Sequence, residues 1–187
     1  MDINHLLEEY RKGRRDFSGI RLANANLSGI NLEGIILRNS NLSGTNFSHS
    51  DLSGADFSNC HLSRCIFSGA VLKNTNFEAA DLNYASLKGA YFENTIFNSA
   101  NLMWAHLCES DLARSSIENA NLTWSCLIGT SVSEEQMKPI PQSTLTTIAF
   151  EKKEEQKLQS ETSAYKNQAS PAMSGYGGGE EKGLYVN

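Results

Sequence analysis

A period of five residues runs through most of this chain. From Phe17 onward, every fifth position up to Val132 is apolar, through 24 successive units. The residue two places before each is Ala, Ser, Thr or Cys in 20 units, and the residue just before it is Asp or Asn in 12. This period matches neither the 3.6-residue repeat of an amphipathic helix nor the alternation of a strand. The pattern predicts that each unit turns one corner, so that four units close a coil of about 20 residues.

Wrapping the sequence at this length predicts which side chains stack. The 24 units give six coils, and parallel strands about 4.8 Å apart would make a rod about 30 Å long. The central residues then form continuous apolar ladders, which stabilise the rod at roughly 25 cal/mol per Å² buried. On face one the ladder consists of Phe17, Leu37, Phe57, Phe77, Phe97 and Ile117, and on face two of Leu22, Leu42, Leu62, Leu82, Leu102 and Leu122.

The repeat resembles that of the pentapeptide-repeat family, and of its cyanobacterial-type members in particular. Ala55-Asp56-Phe57-Ser58-Asn59 and Ala80-Asp81-Leu82-Asn83-Tyr84 show the family consensus A(D/N)LXX. The resemblance covers about residues 15–134 and implies an all-β solenoid, a right-handed quadrilateral β-helix of about six coils. The sequence departs from the consensus at the start, where larger residues take the small-residue position: Arg15, Ile20, Ile30 and Ile35.

Both flanks of the repeat are predicted to cap it, because an open coil end would pair with another molecule. Residues 1–14 are predicted to be a capping helix, with apolar residues at i, i+3, i+4 and i+7, Asp2 or Asn4 as N-cap and Gly13 as a stop. The apolar positions are Ile3, Leu6, Leu7 and Tyr10.

The C-terminal side is predicted to hold a cap segment, 135–150, and a tail. Ser133 and Gln136 have the spacing of a capping box. The stretch 145–150 is apolar enough to pack back on the rod. Residues 151–187 are charged, contain Gly177 to Gly179 and have few apolar side chains, so we expect a disordered, flexible tail.

The four cysteines lack a CxxC pair, which predicts reduced thiols and a cytoplasmic protein rather than a disulfide framework or a zinc knuckle. No apolar run reaches the roughly 18 residues of a membrane span. Cys60 and Cys65 fall at the small inward position and are expected to be core fillers. Cys108 and Cys126 fall outward on face three in successive coils, which leaves a surface thiol pair open.

The sequence offers no arrangement of catalytic residues, so we expect no enzyme, no metal site and no cofactor. The four histidines fall in different coils or outside the repeat, and mostly on different faces: His5, His49, His61 and His106. The recurrent Asp and Asn are explained by the turns, where such side chains bond the backbone.

One outward column on face two is not explained by the repeat. Two residues after each central position stand Arg64, Tyr84, Trp104 and Trp124 in successive coils, with Met103 beside them. An exposed aromatic column of this kind indicates a binding surface. The alternative is that Leu145, Ile148 and Phe150 fold back and cover it. A smaller pair on face four, Val71 and Tyr91, is expected to be ladder packing.

These features favour a non-enzymatic, regulatory or scaffolding module that binds an unknown protein partner. The resemblance also implies that a homodimer is plausible, and it offers an alternative: a DNA mimic that binds DNA gyrase. A mimic needs a strongly negative face. Residues 14–134 hold 11 acids and 8 bases, and Arg38, Lys73 and Arg114 interrupt the acidic columns. The whole chain, with 16 basic and 21 acidic residues, suits neither a membrane surface nor direct nucleic-acid binding.

Overall fold

The computed structural model describes residues 1–133 and Gln136, all within one compact unit, Met1–Glu151. Nineteen parallel bridges connect these residues, and each joins two positions that are 20 residues apart. The predicted coil length is therefore confirmed. The bridges are isolated, one residue on each side of a coil, and the described part of the chain contains no longer strand.

The bridges on face one run through six coils. They join Asp16, Ile36, Asp56, Asn76, Ile96 and Ser116 in order. Two of the other sides carry equivalent columns, and the column on face four lacks only the bridge between Tyr91 and Asp111, so four sides surround one interior. The arrangement of faces predicted from the sequence is the arrangement in the structure.

The interior is made by the central residues of the units. All of these from Phe17 to Leu127 are buried, and Val132, at the end of the described coils, is half-buried. The phenylalanines of face one stack from coil to coil. Ring centroids are 5.2 Å apart both between Phe57 and Phe77 and between Phe77 and Phe97.

The turns are stabilised by the Asp and Asn residues that precede the central positions. In all twelve cases the side-chain Oδ1 accepts a hydrogen bond from the backbone N–H two residues later. Asp56, for example, accepts from the Ser58 N–H at 2.9 Å. The prediction that these Asp and Asn side chains bond the turns is confirmed. This role explains why they recur with the repeat, without a catalytic function.

All but one of the described corners, that of Arg114, end on a residue with left-handed backbone. Two places after the central residue, φ is positive at eight glycines and at fourteen other residues, of which six are Asn. Gly and Asn are the residues that adopt this conformation at least cost. The repeat therefore selects them by backbone geometry.

The small inward residues also join the coils. Buried Thr and Cys side chains donate to the backbone carbonyl 23 residues earlier, as Thr75 Oγ1 does to Leu52 at 2.9 Å. Cys60 and Cys65 are buried core fillers, as predicted, and their Sγ atoms donate to the Leu37 and Leu42 carbonyls. The five-residue pattern does not by itself predict these bonds.

Helix α1 spans Ile3–Arg11 and begins as predicted. The side chain of its N-cap, Asp2, accepts from the His5 N–H at 2.9 Å, and Gly13 follows the helix with φ of 98°. Leu6 is fully buried, and the Tyr10 hydroxyl donates to the Glu33 carbonyl at 2.8 Å. The helix therefore rests on the first coil.

The isoleucines that depart from the consensus fit at this end of the rod. Ile35 is fully buried, while Ile20 and Ile30 are half-buried against the core. The first coil keeps regular bridges to the second. Large inward side chains are tolerated here because they pack into or against the core.

Ser133 and Gln136 make the reciprocal hydrogen bonds of the predicted capping box. The Ser133 N–H donates to Gln136 Oε1 at 2.9 Å, and the Gln136 N–H donates to Ser133 Oγ at 3.3 Å. Gln136 Nε2 also donates to the carbonyls of Leu112 and Ser115, which lie one coil earlier. The expectations for the cap segment 135–150, Gln136 apart, and for the tail 151–187 concern residues outside the described part.

Candidate functional site

The outward column on face two is an aromatic stack. Tyr84, Trp104 and Trp124, called the aromatic stripe below, occupy equivalent corners of three successive coils. The ring centroids of Tyr84 and Trp104 are 6.0 Å apart with planes at 3°, and those of Trp104 and Trp124 are 5.6 Å apart at 15°. The spacing of the coils thus brings the three rings into one column.

The side chains of the stripe are exposed among the residues that the structure describes. Tyr84 is 50% exposed, Trp104 41% and Trp124 59%. Arg64 is exposed at the equivalent corner of the preceding coil, and Met103 is half-buried next to Trp104 in the chain. All five predicted residues therefore belong to one side of the rod, and coverage by Leu145, Ile148 and Phe150 concerns residues outside the described part.

The backbone at the stripe is unfavourable for large side chains. φ is 57° at Tyr84 and 60° at both Trp104 and Trp124. A residue other than glycine in this region costs about 1–3 kcal/mol. Gly or Asn would fit these corners better, as they do elsewhere in the rod. The aromatic residues are therefore not explained by the needs of the turn.

A ladder of polar side chains runs along the same face. Asn101 Nδ2 donates to Asp81 Oδ1 at 3.0 Å, and Asn121 Nδ2 donates to Asn101 Oδ1 at 3.3 Å. These residues precede the central positions of the same three coils. The ladder was not predicted from the sequence, although the 20-residue spacing of the three residues was its signal. Face two thus offers an apolar stack and a row of hydrogen-bonding groups.

The expectation of four reduced cysteines is wrong for two of them. Cys108 and Cys126 form a disulfide with their Cα atoms 5.7 Å apart. The physical reason is a neighbour relation that recurs in the rod: the residue after a central position lies beside the residue 18 places later. The same relation gives the Arg38–Asp56 ion pair at 2.6 Å.

The other two cysteines are free and buried. Burial raises the pKa of the Cys60 thiol to about 11 and that of the Cys65 thiol to about 12. Thiols react as thiolates, so both side chains are held in their unreactive form at neutral pH. The prediction that they serve packing fits this environment.

The remaining polar groups form local contacts. Lys73 lies 2.7 Å from Glu93, which is 3.7 Å from Arg114, so bases neutralise an acid on face four. Val71 and Tyr91 are bridged neighbours there and remain exposed. Among residues 1–133 and Gln136, no three His, Cys, Asp or Glu side chains are grouped to hold a metal ion. No helix in this part is long and apolar enough to cross a membrane.

Several solved structures are similar to this chain. The protein alr5209 from Nostoc PCC 7120, a pentapeptide repeat protein, is 28% identical with a TM-score of 0.51, over 71% of this chain and 98% of that chain. HetL, a pentapeptide repeat protein involved in heterocyst differentiation regulation in Nostoc sp. strain PCC 7120, is 18% identical with a TM-score of 0.31, over 72% and 98%. QnrB1, a plasmid-mediated fluoroquinolone resistance protein, is 24% identical with a TM-score of 0.37, over 62% and 74%.

No curated protein matches the chain as a relative. The family model for pentapeptide repeats matches in eight copies, over residues 16–54, 50–83, 60–98, 75–112 and 95–133. These segments cover more than half of the chain and coincide with the bridged coils. Members of this family form right-handed quadrilateral β-helices and are generally interaction modules rather than enzymes. The chain belongs to the pentapeptide-repeat family.

Proposed function

We propose that this protein is a non-enzymatic module that binds another protein through the aromatic stripe. The observation that carries the proposal is the stacked, exposed column of Tyr84, Trp104 and Trp124 at corners where the backbone favours Gly or Asn. Backbone strain concentrates at functional sites, and exposed apolar columns are typical of interfaces.

The rod gives the stripe properties that suit binding. Tyr and Trp are the residues that most often dominate interface energies. Their positions are held by backbone bonds between coils, such as the Trp104 N–H to the Thr123 carbonyl at 3.1 Å. A partner therefore meets a surface that is ordered before contact, which reduces the entropic cost of association. The neighbouring Asp81, Asn101 and Asn121 can supply the polar rim.

The proposal is tested by quantitative capture with the full-length chain as bait. The double variant Trp104→Asn/Trp124→Asn removes two stripe side chains while retaining a residue suited to positive φ. Tyr91→Asn removes an exposed tyrosine from face four and is the matched control. A partner that depends on the stripe should bind the double variant at least about tenfold more weakly and bind the control normally.

The proposal fails if proteins captured by the wild type bind the double variant with unchanged affinity, measured with purified components. It also fails if Tyr91→Asn weakens binding as much as the double variant does. In that case the loss of binding would not be specific to the stripe.

The alternative is a DNA mimic that binds DNA gyrase. The ion pairs argue against it, because Arg38, Lys73 and Lys88 neutralise acids that a phosphate-like surface would have to leave free. A supercoiling assay with purified gyrase decides the question. We expect no inhibition by the full-length chain, and inhibition that is lost when surface acids are neutralised would favour the mimic instead.

A further inference from the structure

The disulfide divides the four cysteines into two groups with different access to solvent. Cys108 and Cys126 are half-buried on the outside of face three. Cys60 and Cys65 are enclosed in the core, where each Sγ donates to a backbone carbonyl. A reagent in solution can therefore reach the first pair while the second stays protected. Thiol exchange is confined to one place on the rod.

The backbone at this place does not require a covalent link. Ser68 and Ser86, on the same face two coils earlier, occupy the equivalent positions, and their hydroxyls are 2.8 Å apart in a hydrogen bond. Parallel bridges continue past both pairs, joining Ile66 to Ser86 and His106 to Cys126. The coils are thus compatible with either a bonded or a non-bonded pair, so the disulfide can open without a change of fold.

The link lies at the end of the regular rod. It ties the fifth coil to the sixth, and the sixth is the last that the structure describes. The 18-residue separation between the cysteines encloses Trp124, which stacks on Trp104 of the fifth coil. End repeats of a solenoid have a further repeat on one side only and open most readily. A covalent tie has its greatest effect there.

We propose that Cys108 and Cys126 form a reversible thiol–disulfide site that fastens the sixth coil to the fifth and thereby keeps the Trp104–Trp124 end of the aromatic stripe assembled. In the disulfide form the terminal coil is tied. In the dithiol form the same fold persists, but the coil opens more often. The inference does not depend on which partner the stripe binds.

The reaction is an exchange with a low-molecular-weight disulfide, RSSR. The thiolate of one cysteine attacks a sulfur of RSSR, which forms a mixed disulfide and releases one RS⁻. The second cysteine thiolate then attacks the protein sulfur of the mixed disulfide, closes the Cys108–Cys126 bond and releases the second RS⁻. Two electrons pass from the cysteines to RSSR, and the two thiol protons end on the released thiols. A dithiol reductant reverses the steps.

The first test counts thiols in the full-length chain after oxidised glutathione or dithiothreitol. The oxidised protein should show no reactive thiol when folded and two after denaturation, and peptide mapping should find the Cys108–Cys126 link. The reduced protein should show two reactive thiols when folded and four after denaturation. Repeated cycles should return the same counts.

The second test measures amide hydrogen exchange in both forms. Closing a loop of this size restrains the unfolded coil, so reduction should speed exchange in residues 116–133 about tenfold or more, and leave residues 36–55 unchanged. The control Cys108→Ser/Cys126→Ser copies the Ser68/Ser86 pair. Its rates of amide exchange should equal those of the reduced wild type, and the redox buffer should not change them.

Three results would overturn the proposal. One is that all four thiols stay free under the oxidising buffer, or that mapping finds a link to Cys60, Cys65 or a second chain. Another is that the disulfide resists reduction until the protein unfolds. The last is that exchange in residues 116–133 is the same in both forms. If the double variant does not fold, all three results can still be obtained with the wild type alone.

Discussion

Two of the rod's aromatic stacks have the same 20-residue spacing and opposite surroundings. Phe57, Phe77 and Phe97 lie inside, fully or almost fully buried, with centroids 5.2 Å apart. The stripe lies outside at left-handed corners, with centroids 5.6 and 6.0 Å apart. In both the inner stack and the stripe, the rings stack because the coils are evenly spaced. Only the inner stack removes its rings from water, so only the inner stack is expected to hold the fold together.

The largest expected effect is that of Phe77→Ala. The ring is fully buried between two others, and truncating a buried phenylalanine costs about 3–5 kcal/mol. Urea unfolding followed by circular dichroism measures the loss in the free energy of unfolding. A change below about 1 kcal/mol would mean that the inner stack does not stabilise the rod, and the contrast with the stripe would disappear.

Inside the rod, Thr75→Val should cause a smaller loss in the free energy of unfolding. The substitution keeps the shape of the side chain and removes its hydroxyl. The Leu52 carbonyl, which accepts from Thr75 Oγ1, also accepts from the Ala55 N–H at 2.9 Å and is not left unpaired. The loss should therefore be about 1 kcal/mol, the net value of one hydrogen bond. The same unfolding experiment measures it. An unchanged or higher stability would show that the bonds between coils add nothing to packing.

On the outside, Trp104→Asn should leave the free energy of unfolding within about 1 kcal/mol of the wild type. Two changes in the free energy of unfolding nearly cancel. The lost stacking contacts stabilise the fold by roughly 0.5–1.5 kcal/mol per aromatic pair, and replacing Trp by Asn removes backbone strain of similar size at this left-handed position. Circular dichroism again follows unfolding, because the variant removes a fluorophore. A loss as large as that for Phe77→Ala would make Trp104 a structural residue.

The smallest effect concerns the ion pair on face one, in which Arg38 is exposed and Asp56 is half-buried. Burial raises the pKa of Asp56, but hydrogen bonds from Ser58 and the Arg38 guanidinium outweigh it, so the pKa is lowered overall. The folded pKa then lies below the unfolded value of about 3.9. The carboxylate stabilises the fold above that value, and its contribution is lost as pH falls through the folded pKa.

Unfolding curves between neutral pH and pH 3 measure this contribution, with Asp56→Asn as the reference. The difference in stability between wild type and variant should shrink as the pH falls. A difference that stays constant would show that the carboxylate charge has no part in it. A difference that grows would mean that the pKa is raised in the folded chain.

Much of the fold could be predicted because one period determines it. The 20-residue coil, the buried central residues, the Asp and Asn turns and helix α1 all follow from spacing and residue type, which act locally. The column of Tyr84, Trp104 and Trp124 was also predictable, since the coil length determines which corners lie above one another.

Some of the features that were missed, unlike the ladder on face two, do not follow from the period. The Cys108–Cys126 bond joins the position after one central residue to the position before another, and the period alone does not give the distance between those columns. The positive φ at Trp104 was not inferred either, because tryptophan does not indicate a left-handed corner as Gly44 does. Side-chain direction and backbone conformation had to come from the structure.

The central claim is that the stripe is open and available to a partner. Acrylamide quenching of tryptophan fluorescence tests it most directly in the full-length chain, because Trp104 and Trp124 are the chain's only two tryptophans. Trp104→Phe and Trp124→Phe separate the two signals. The account predicts red-shifted emission and ready quenching, stronger for Trp124, at 59% exposed, than for Trp104, at 41%. Blue-shifted emission that resists acrylamide in the full-length chain, and becomes accessible when the chain ends after Pro141, would contradict it.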